Sequence, residues 1–544
     1  MKKQAVYLLL FLLPMDVLLA QASDSGGSYY FTYGLIAIAA ILFLGLVLNV
    51  SDNLLAVEAK RGGVDTDPDQ VSIYPRLNDI FTPKAPDYVD EDERVVNLKR
   101  GFDIKLEGEA ELRIEPSMEA NTFAVQPGNF VGMIPIPKVV VEQGQSVKAG
   151  DELFFDKKRP DIKYVAPVSG EIIAINRGEK RSIREIIILA DKEQRYRDLP
   201  AFDLESSTRE ELVKYLVEYG GWTMFNQRPF DIVPEIDEVP RDIFISTFDT
   251  APLAPDLNFV VEGKGAAFQK GLDVLNKLTD GSVFLGMDAR REEAPSPVFT
   301  QAQGVVHRWF RGKHPAGNVG VQIHNTKPIN IGDRVWTLGV QDVITLGKMF
   351  TERRFDTERI VALAGAELKQ PLYIKTHIGA SLNELLKDNL ASEHVRIISG
   401  DVLSGEKKAQ DSFLNYRDDQ ITVIEEGDYY EMFGWLLPLK MRPSKSRTYP
   451  NFLFPDVKFQ ADTNMHGEKR AFVVTGQYEE VLPMDIYLQH LMKAILVNDF
   501  EKIEGLGIYE LSEEDVALPE FVCTSKQPLQ LILREGLDLM REQG

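Results

Sequence analysis

Cysteine is almost missing from this chain. Cys523 is the single thiol among 544 residues. An iron–sulfur cluster takes four thiolates, so the cysteines of this chain hold none, and an intrachain disulfide is excluded too. Positive charge is also short: 61 Lys and Arg against 83 Asp and Glu leave a net charge of −22. No basic tract interleaved with aromatics occurs, which argues against a nucleic-acid partner. Histidine is sparse, seven in all. There is no H-E-x-x-H, and the spacing of His307, His314 and His324 suits no zinc site, so no metal site is expected. G-x-S-x-G, P-loop, EF-hand and C-x-x-C-H patterns are absent. The nearest approach to a dinucleotide turn is Gly263-Lys264-Gly265, but Phe268 stands where a third glycine would admit pyrophosphate. A surface turn before a helix is expected there. These absences leave no self-sufficient active site and no catalytic residue to name.

Long apolar runs are confined to the N-terminus. Lys2 and Lys3 precede a short apolar stretch, Ala5 to Leu13, and the small-residue site Ala20-Gln21-Ala22. This has the shape of a secretory signal segment over residues 1–22. A second run, Phe31 to Val50, carries no charge and is long enough to cross a bilayer. Tyr29, Tyr30 and Tyr33 stand at its start like an interfacial belt. The sequence predicts one N-terminal transmembrane helix over 29–50. Lys60-Arg61 follow it, whereas the link between the two runs carries Asp16 and Asp24 but no Lys or Arg. The positive-inside rule therefore places everything after Asp52 in the cytoplasm. Nothing ionisable lies in the span to carry an ion, so it reads as an anchor.

The rest divides into several domains, as its length requires. Residues 51–94 are acidic and proline-containing and read as a linker. Over 95–200, short β-type runs alternate with glycine turns and resemble the barrel-sandwich hybrid of lipoyl and biotinyl carriers. The turn Asp156-Lys157-Lys158-Arg159 is read as a basic solvated tip, the alternative being an acylated Lys157 or Lys158. Residues 201–370 alternate helix and apolar strand, the pattern of a Rossmann-like α/β domain. Thr208-Arg209-Glu210-Glu211 is a capping box, and Gly220-Gly221 ends the helix after it. Residues 371–440 read as a β-grasp, SLBB-like module with strand 372–375, helix 381–390 and strand 395–399. A helical domain over 441–544 includes an amphipathic helix on Leu488, Leu491, Met492, Ile495 and Leu496. Its close, Cys523-Thr524-Ser525-Lys526-Gln527-Pro528-Leu529, resembles the end of a ferredoxin-type domain without its cluster. The fold class is thus multidomain α/β and β.

One resemblance spans Val95 to Gly544. His314-Pro315-Ala316-Gly317, His324, Val335-Trp336 and Gln341-Asp342-Val343-Ile344 with Gly347-Lys348-Met349-Phe350 closely resemble the A-type subunits of sodium-pumping NADH:quinone oxidoreductases. Leu98-Lys99-Arg100-Gly101-Phe102-Asp103, Ile398-Ser399-Gly400-Asp401, Phe433-Gly434-Trp435 and Gly476-Gln477-Tyr478-Glu479 match in order. The family is related to the C-type subunit of the Rnf complex, whose cysteines are absent here apart from Cys523. The flavin loop of the related NADH-oxidising flavoprotein is replaced by Gly221-Trp222-Thr223-Met224-Phe225-Asn226.

The resemblance implies a cytoplasmic-face subunit of a six-subunit complex in the bacterial inner membrane, which oxidises NADH, reduces a quinone and exports sodium. It implies that flavins and iron centres sit on other subunits, so that no cofactor is expected on this one. It further implies roles in assembly and in quinone binding, with His314, His324, Trp336 and Trp435 as candidate quinone or interface residues. A flavin- or cluster-bearing Rnf-like electron carrier is the alternative.

Overall fold

The computed structural model describes residues 28–61, 84–90, 93–116, 118–433, 441–445, 450–454 and 456–543. The signal-like segment, most of the linker and Trp435 lie outside the described residues. The chain forms two compact units, Met1–Ala85 and Pro86–Gly544.

In the first unit, α1 (Ser28–Arg61) is a continuous helix of 34 residues. Its described side chains lie between Thr32 and Leu55, and large apolar ones such as Ile36, Ile41 and Leu44 are exposed. Among the described residues no helix is long and apolar enough to cross a membrane.

The second unit begins with two short strands, β1 (Val95–Asn97) and β2 (Glu111–Ile114), that pair far along the chain. Then follow β3 (Thr122–Val125), β4 (Lys138–Val139), β5 (Ser146–Val147), β6 (Glu152–Asp156), β7 (Arg159–Val165), β8 (Gly170–Arg177) and β9 (Ile183–Ala190). They form a four-stranded sheet, β3-β9-β8-β5, and a three-stranded one, β4-β6-β7. These enclose Val125, Leu153, Phe154, Tyr164 and Ile186, the architecture expected of a barrel-sandwich hybrid. Lys157 and Lys158 are exposed at the tip of the β6–β7 hairpin.

The α/β region contains α2 (Arg209–Glu218), β10 (Asn226–Arg228), β11 (Asp242–Ser246), α3 (Gly265–Leu278), β12 (Val283–Asp288) and β13 (Val306–Arg311). It ends with α4 (Val319–Thr326), β14 (Val335–Thr337) and α5 (Val340–Thr351). The Thr208 capping box forms as its spacing predicts, and Gly220 closes that end in a left-handed conformation. Gly263-Lys264 is a turn into α3, and Phe268 is buried edge-on to Phe299. The sheet order is β1-β13-β12-β11-β14-β10. All its pairs are parallel except β10–β14.

Helices α3 and α5 cross with their backbones in contact. A Cβ on Gly347 would lie 1.8 Å from the Ala267 carbonyl oxygen, and one on Gly271 would lie 2.2 Å from that of Val343. Neither obstacle is a side chain that can swing away. Gly347→Ala is therefore expected to cost about 1–3 kcal/mol through overpacking, read as a lower thermal-unfolding midpoint. An unchanged midpoint would show that the helices separate freely.

The next sheet uses β15 (Glu358–Ala364), β16 (Leu372–His377), β17 (Val395–Ser399), β18 (Glu406–Lys408) and β19 (Gln420–Glu425) in the order β18-β17-β19-β15-β16-β2. The division expected at residue 371 falls between its paired strands β15 and β16. Likewise β1, expected to open the barrel-sandwich module, is an edge strand of the α/β sheet. Local alternation marks a strand but not its distant partner. The helix expected over 381–390 is one turn, Leu382–Leu385, because the Asn389 side chain ties both backbone groups of Gln370 at 2.9 and 3.1 Å.

The helical end is shorter than 441–544. Residues 456–487 carry no helix or strand. Then α6 (Leu488–Leu496), α7 (Glu513–Val522) and α8 (Leu529–Gln543) pack around Leu491, Ile503, Leu533 and Leu537. This core is distinct from the main one and takes in Val321 of α4.

Candidate functional site at the carboxyl ends of the parallel strands

In an open parallel sheet, the loops leaving the carboxyl ends of the strands form a crevice where ligands bind. Here Thr247–Asp256 leaves β11, Ala289–Arg291 leaves β12 and Gly312–Asn318 leaves β13. Asp401, in the turn after β17, acts on the same space, since its charge reaches both Asp249 and His314.

His314 is 3% exposed. Its backbone N–H donates to Asp103 at 2.9 Å. Its ring Nδ1 lies 3.1 Å from the Thr250 hydroxyl, which accepts the Gly317 N–H at 2.9 Å. With two lone pairs and one hydrogen, that hydroxyl can either donate to Nδ1 or accept from it, so the contact fits both ring tautomers. Burial pushes the imidazole down to about 4, so the ring is neutral at neutral pH. Its Nε2 has no hydrogen-bond partner.

Carboxylates converge beside it. Asp249, in the loop after β11, is exposed and accepts the Ala251 N–H at 2.8 Å. Arg290 is held in a two-point contact with Asp288, both distances 2.8 Å, and covers the Phe248 ring. From the other side comes the start of α7. Asp515 is its third residue, and it accepts the Ser512 N–H at 3.0 Å.

Arg228, 2% exposed at the end of β10, bridges the two modules. Its guanidinium meets Asp515 at 3.0 Å, Glu514 at 2.6 Å and Asp231 at 3.2 Å. One cation facing three carboxylates leaves the cluster one proton short of comfort. Burial first, then the charges of Asp515 and Asp231, push Glu514 up to about 8 against the pull of Arg228. Gly320 is obligatory at this joint, since a Cβ there would sit 2.3 Å from the Asp515 carboxylate. Chemically, the cluster offers one carboxyl, Glu514, that keeps its proton near neutrality, and an imidazole that takes none.

The other expected residues lie elsewhere. His324 joins the C-terminal module to α4, donating from Nδ1 to Glu510 at 2.7 Å while Nε2 accepts the Asp485 N–H at 3.0 Å. Trp336 is fully buried against Trp222 and Phe225, and donates to Gln227 at 3.0 Å. It is a core residue, because β14 is an interior strand covered on both faces. His307 faces the Phe299 carbonyl at 3.0 Å. The sulfur of Cys523 is buried 2.8 Å from the Tyr478 hydroxyl. Among the described residues no group of three or more His, Cys, Asp or Glu is placed to hold a metal ion.

Three family models match in order: the NqrA N-terminal barrel-sandwich hybrid domain over 96–191, the NqrA second alpha/beta domain over 207–355 and the NQRA C-terminal domain over 360–410. The A subunit of the Na(+)-translocating NADH-quinone reductase from Yersinia pestis is 38% identical over 83% of this chain and 100% of its own. The chain belongs to that NqrA family. The Alcanivorax borkumensis member is 37% identical over 83% of this chain and 100% of its own length, and the Rhodopirellula baltica member is 37% identical over 83% and 99%. These relatives are thus matched end to end and leave the remainder of this chain unmatched. A solved NAD+-reducing [NiFe]-hydrogenase, 10% identical over 62% of this chain and 64% of its own, has a TM-score of 0.32, too distant to carry a conclusion.

Arg228, Glu514 and Asp515 do not stand out in the sequence. Ser512-Glu513-Glu514-Asp515 reads as an ordinary capping box. The one signal is an arginine, Arg228, just before Pro229, and its partners Glu514 and Asp515 lie almost three hundred residues later.

Proposed function

We propose that this chain is the A-type subunit of a bacterial inner-membrane complex that oxidises NADH, reduces a quinone and exports Na+. Its partners are the other members of a six-subunit assembly. Its own role is to dock and order them, with flavins, iron centres and the NADH reaction on other subunits. The observation that carries this reading is the end-to-end match to NqrA relatives at 37–38% identity. The single cysteine and the lack of a third glycine after Gly263-Lys264-Gly265 support the division of labour. The uncharged run Phe31–Val50 within α1, followed by Lys60-Arg61, supports a transmembrane anchor with the globular unit on the cytoplasmic face.

A second reading, direct contact with quinone, is favoured by Glu514. A carboxyl that holds its proton near neutrality can donate to a quinone carbonyl at the crevice mouth. Purification from its native membrane tests both. Recovery with the membrane subunits, and a chain lacking flavin and iron–sulfur absorbance once separated, are expected. Stoichiometric bands at that stage, or NADH oxidation by the isolated chain, would overturn the assembly role. Photoreactive quinone labelling Glu514 or Asp249 would establish the second reading.

A further inference from the structure

The β8–β9 hairpin of the barrel-sandwich module ends in a basic tip. Residues 177–184 contain Arg177, Lys180, Arg181 and Arg184 against a single carboxylate, Glu179. All of these are exposed, and among the described residues none of the four cations has an ion pair. The next carboxylate, Glu185, does not neutralise them. It is buried and accepts from Asn176 at 2.8 Å and from Gln126 at 3.3 Å. In a chain of net charge −22, four unpaired cations at one hairpin end stand apart from the rest.

The tip is also held in one shape, at a conformational cost. Strand pairing continues as far as Arg177 opposite Ile183. Beyond it the Gly178 N–H donates to the Ser182 carbonyl at 2.9 Å, and the Ser182 N–H and hydroxyl donate to the Glu179 carbonyl at 3.0 and 2.9 Å. The Arg177 guanidinium adds a contact to the Arg181 carbonyl at 3.3 Å. A turn closed this way puts Lys180 at φ 52° and Arg181 at φ 65°. Glycine and asparagine enter that left-handed region more cheaply. Lysine and arginine there give up conformational ease for charge, and such outliers cluster where a surface has work to do.

Three of the four cations are arginines, whose planar fork meets a carboxylate at two points. An anionic bilayer is the poorer occupant. It attracts a broad basic face, but it repels the acidic remainder of this chain. A narrow segment bearing carboxylates reaches the tip alone. We propose that the β8–β9 tip is a docking point for an acidic segment of a partner subunit, whose Asp or Glu side chains pair with Arg177, Lys180, Arg181 and Arg184. This rests on the assembly role proposed above and gives that role a place on the chain.

The test is the affinity of the detergent-solubilised full chain for the remaining subunits, purified from cells that lack it, at about 50 and about 500 mM NaCl. Lys180→Glu combined with Arg181→Glu is expected to bind about a hundredfold more weakly at the lower salt, through lost attraction and new repulsion. The gap should narrow at the higher salt, where exposed charges are screened. Lys180→Asn combined with Arg181→Asn is expected to bind about tenfold more weakly, with a thermal midpoint no lower than the parent's. Arg181→Lys should bind nearly as the parent does. In the assembled complex, a carbodiimide that joins amines to carboxylates should link Lys180 to an Asp or Glu of a partner subunit. Full-strength binding by the charge-reversed chain, a gap that ignores salt, or Lys180 linked only within its own chain would overturn the proposal. So would a charge-reversed chain that leaves phosphatidylglycerol vesicles but still holds the subunits, which would place the tip on the bilayer. A parent chain that binds no subunit would overturn the assembly role as well, whereas a parent and a variant that bind equally would overturn the docking point alone.

Discussion

Arg228→Ala is expected to loosen the C-terminal module from the α/β sheet at a cost of about 3–5 kcal/mol, the range for breaking a buried ion pair from one side. The reason is the partner left behind. Asp515 is fully buried, one of its carboxylate oxygens already lacks a partner, and Gly320 packs directly against it. Water cannot replace the guanidinium without prising α4 and α7 apart. Asp231 and Glu514 lose the same counter-charge.

The loss should depend on pH, with a definite sign. In the unfolded chain Glu514 releases its proton near 4.5, but in the folded chain it holds it up to about 8. Between those values the native state binds more protons, so its stability falls as pH rises. Asp515, also raised by burial, adds to this trend. The Glu514 side chain keeps 38% of its surface exposed, and solvent damps the effect. Removing Arg228 takes away the one group opposing protonation, which steepens the slope. The fall in thermal midpoint should therefore be smaller at pH 5 than at pH 8. Equal losses at both would show that the carboxyls stay ionised and that the joint is held by packing.

The second large effect concerns α1. Phe31 to Val50 contains twelve Leu, Ile, Phe and Val residues and no charge. At about 0.3–0.6 kcal/mol each near the bilayer centre, these favour insertion by about 4–7 kcal/mol. Expressed without partners, the full chain should sediment with membranes and resist extraction by alkaline carbonate. A chain beginning at Pro86, which retains both cores, should stay in the supernatant. A full chain recovered in the supernatant would remove the anchor. Sedimentation of both would place the membrane contact in the globular unit instead.

Much of the local structure was legible from neighbouring residues. The Thr208 capping box, the β6–β7 hairpin tip and the face of α6 all follow from side chains within a few positions of one another. So does the turn into a helix at Gly263-Lys264-Gly265. The candidate site was legible only in part. His314 stands where the sheet focuses its loops, but Trp336 is in the core, and nothing in its sequence setting distinguishes a buried indole from one on a surface.

The sequence by itself determined that the chain has a single thiol, which family it belongs to, and where an uncharged apolar run lies. Only the tertiary structure decided that β1 and β2 leave the barrel for other sheets and that Arg228 meets Glu514 and Asp515. The division has a physical cause. Helix caps, turns and periodic faces are settled over a few residues, whereas a charge finds or lacks its partner only when distant segments are packed and water is removed between them.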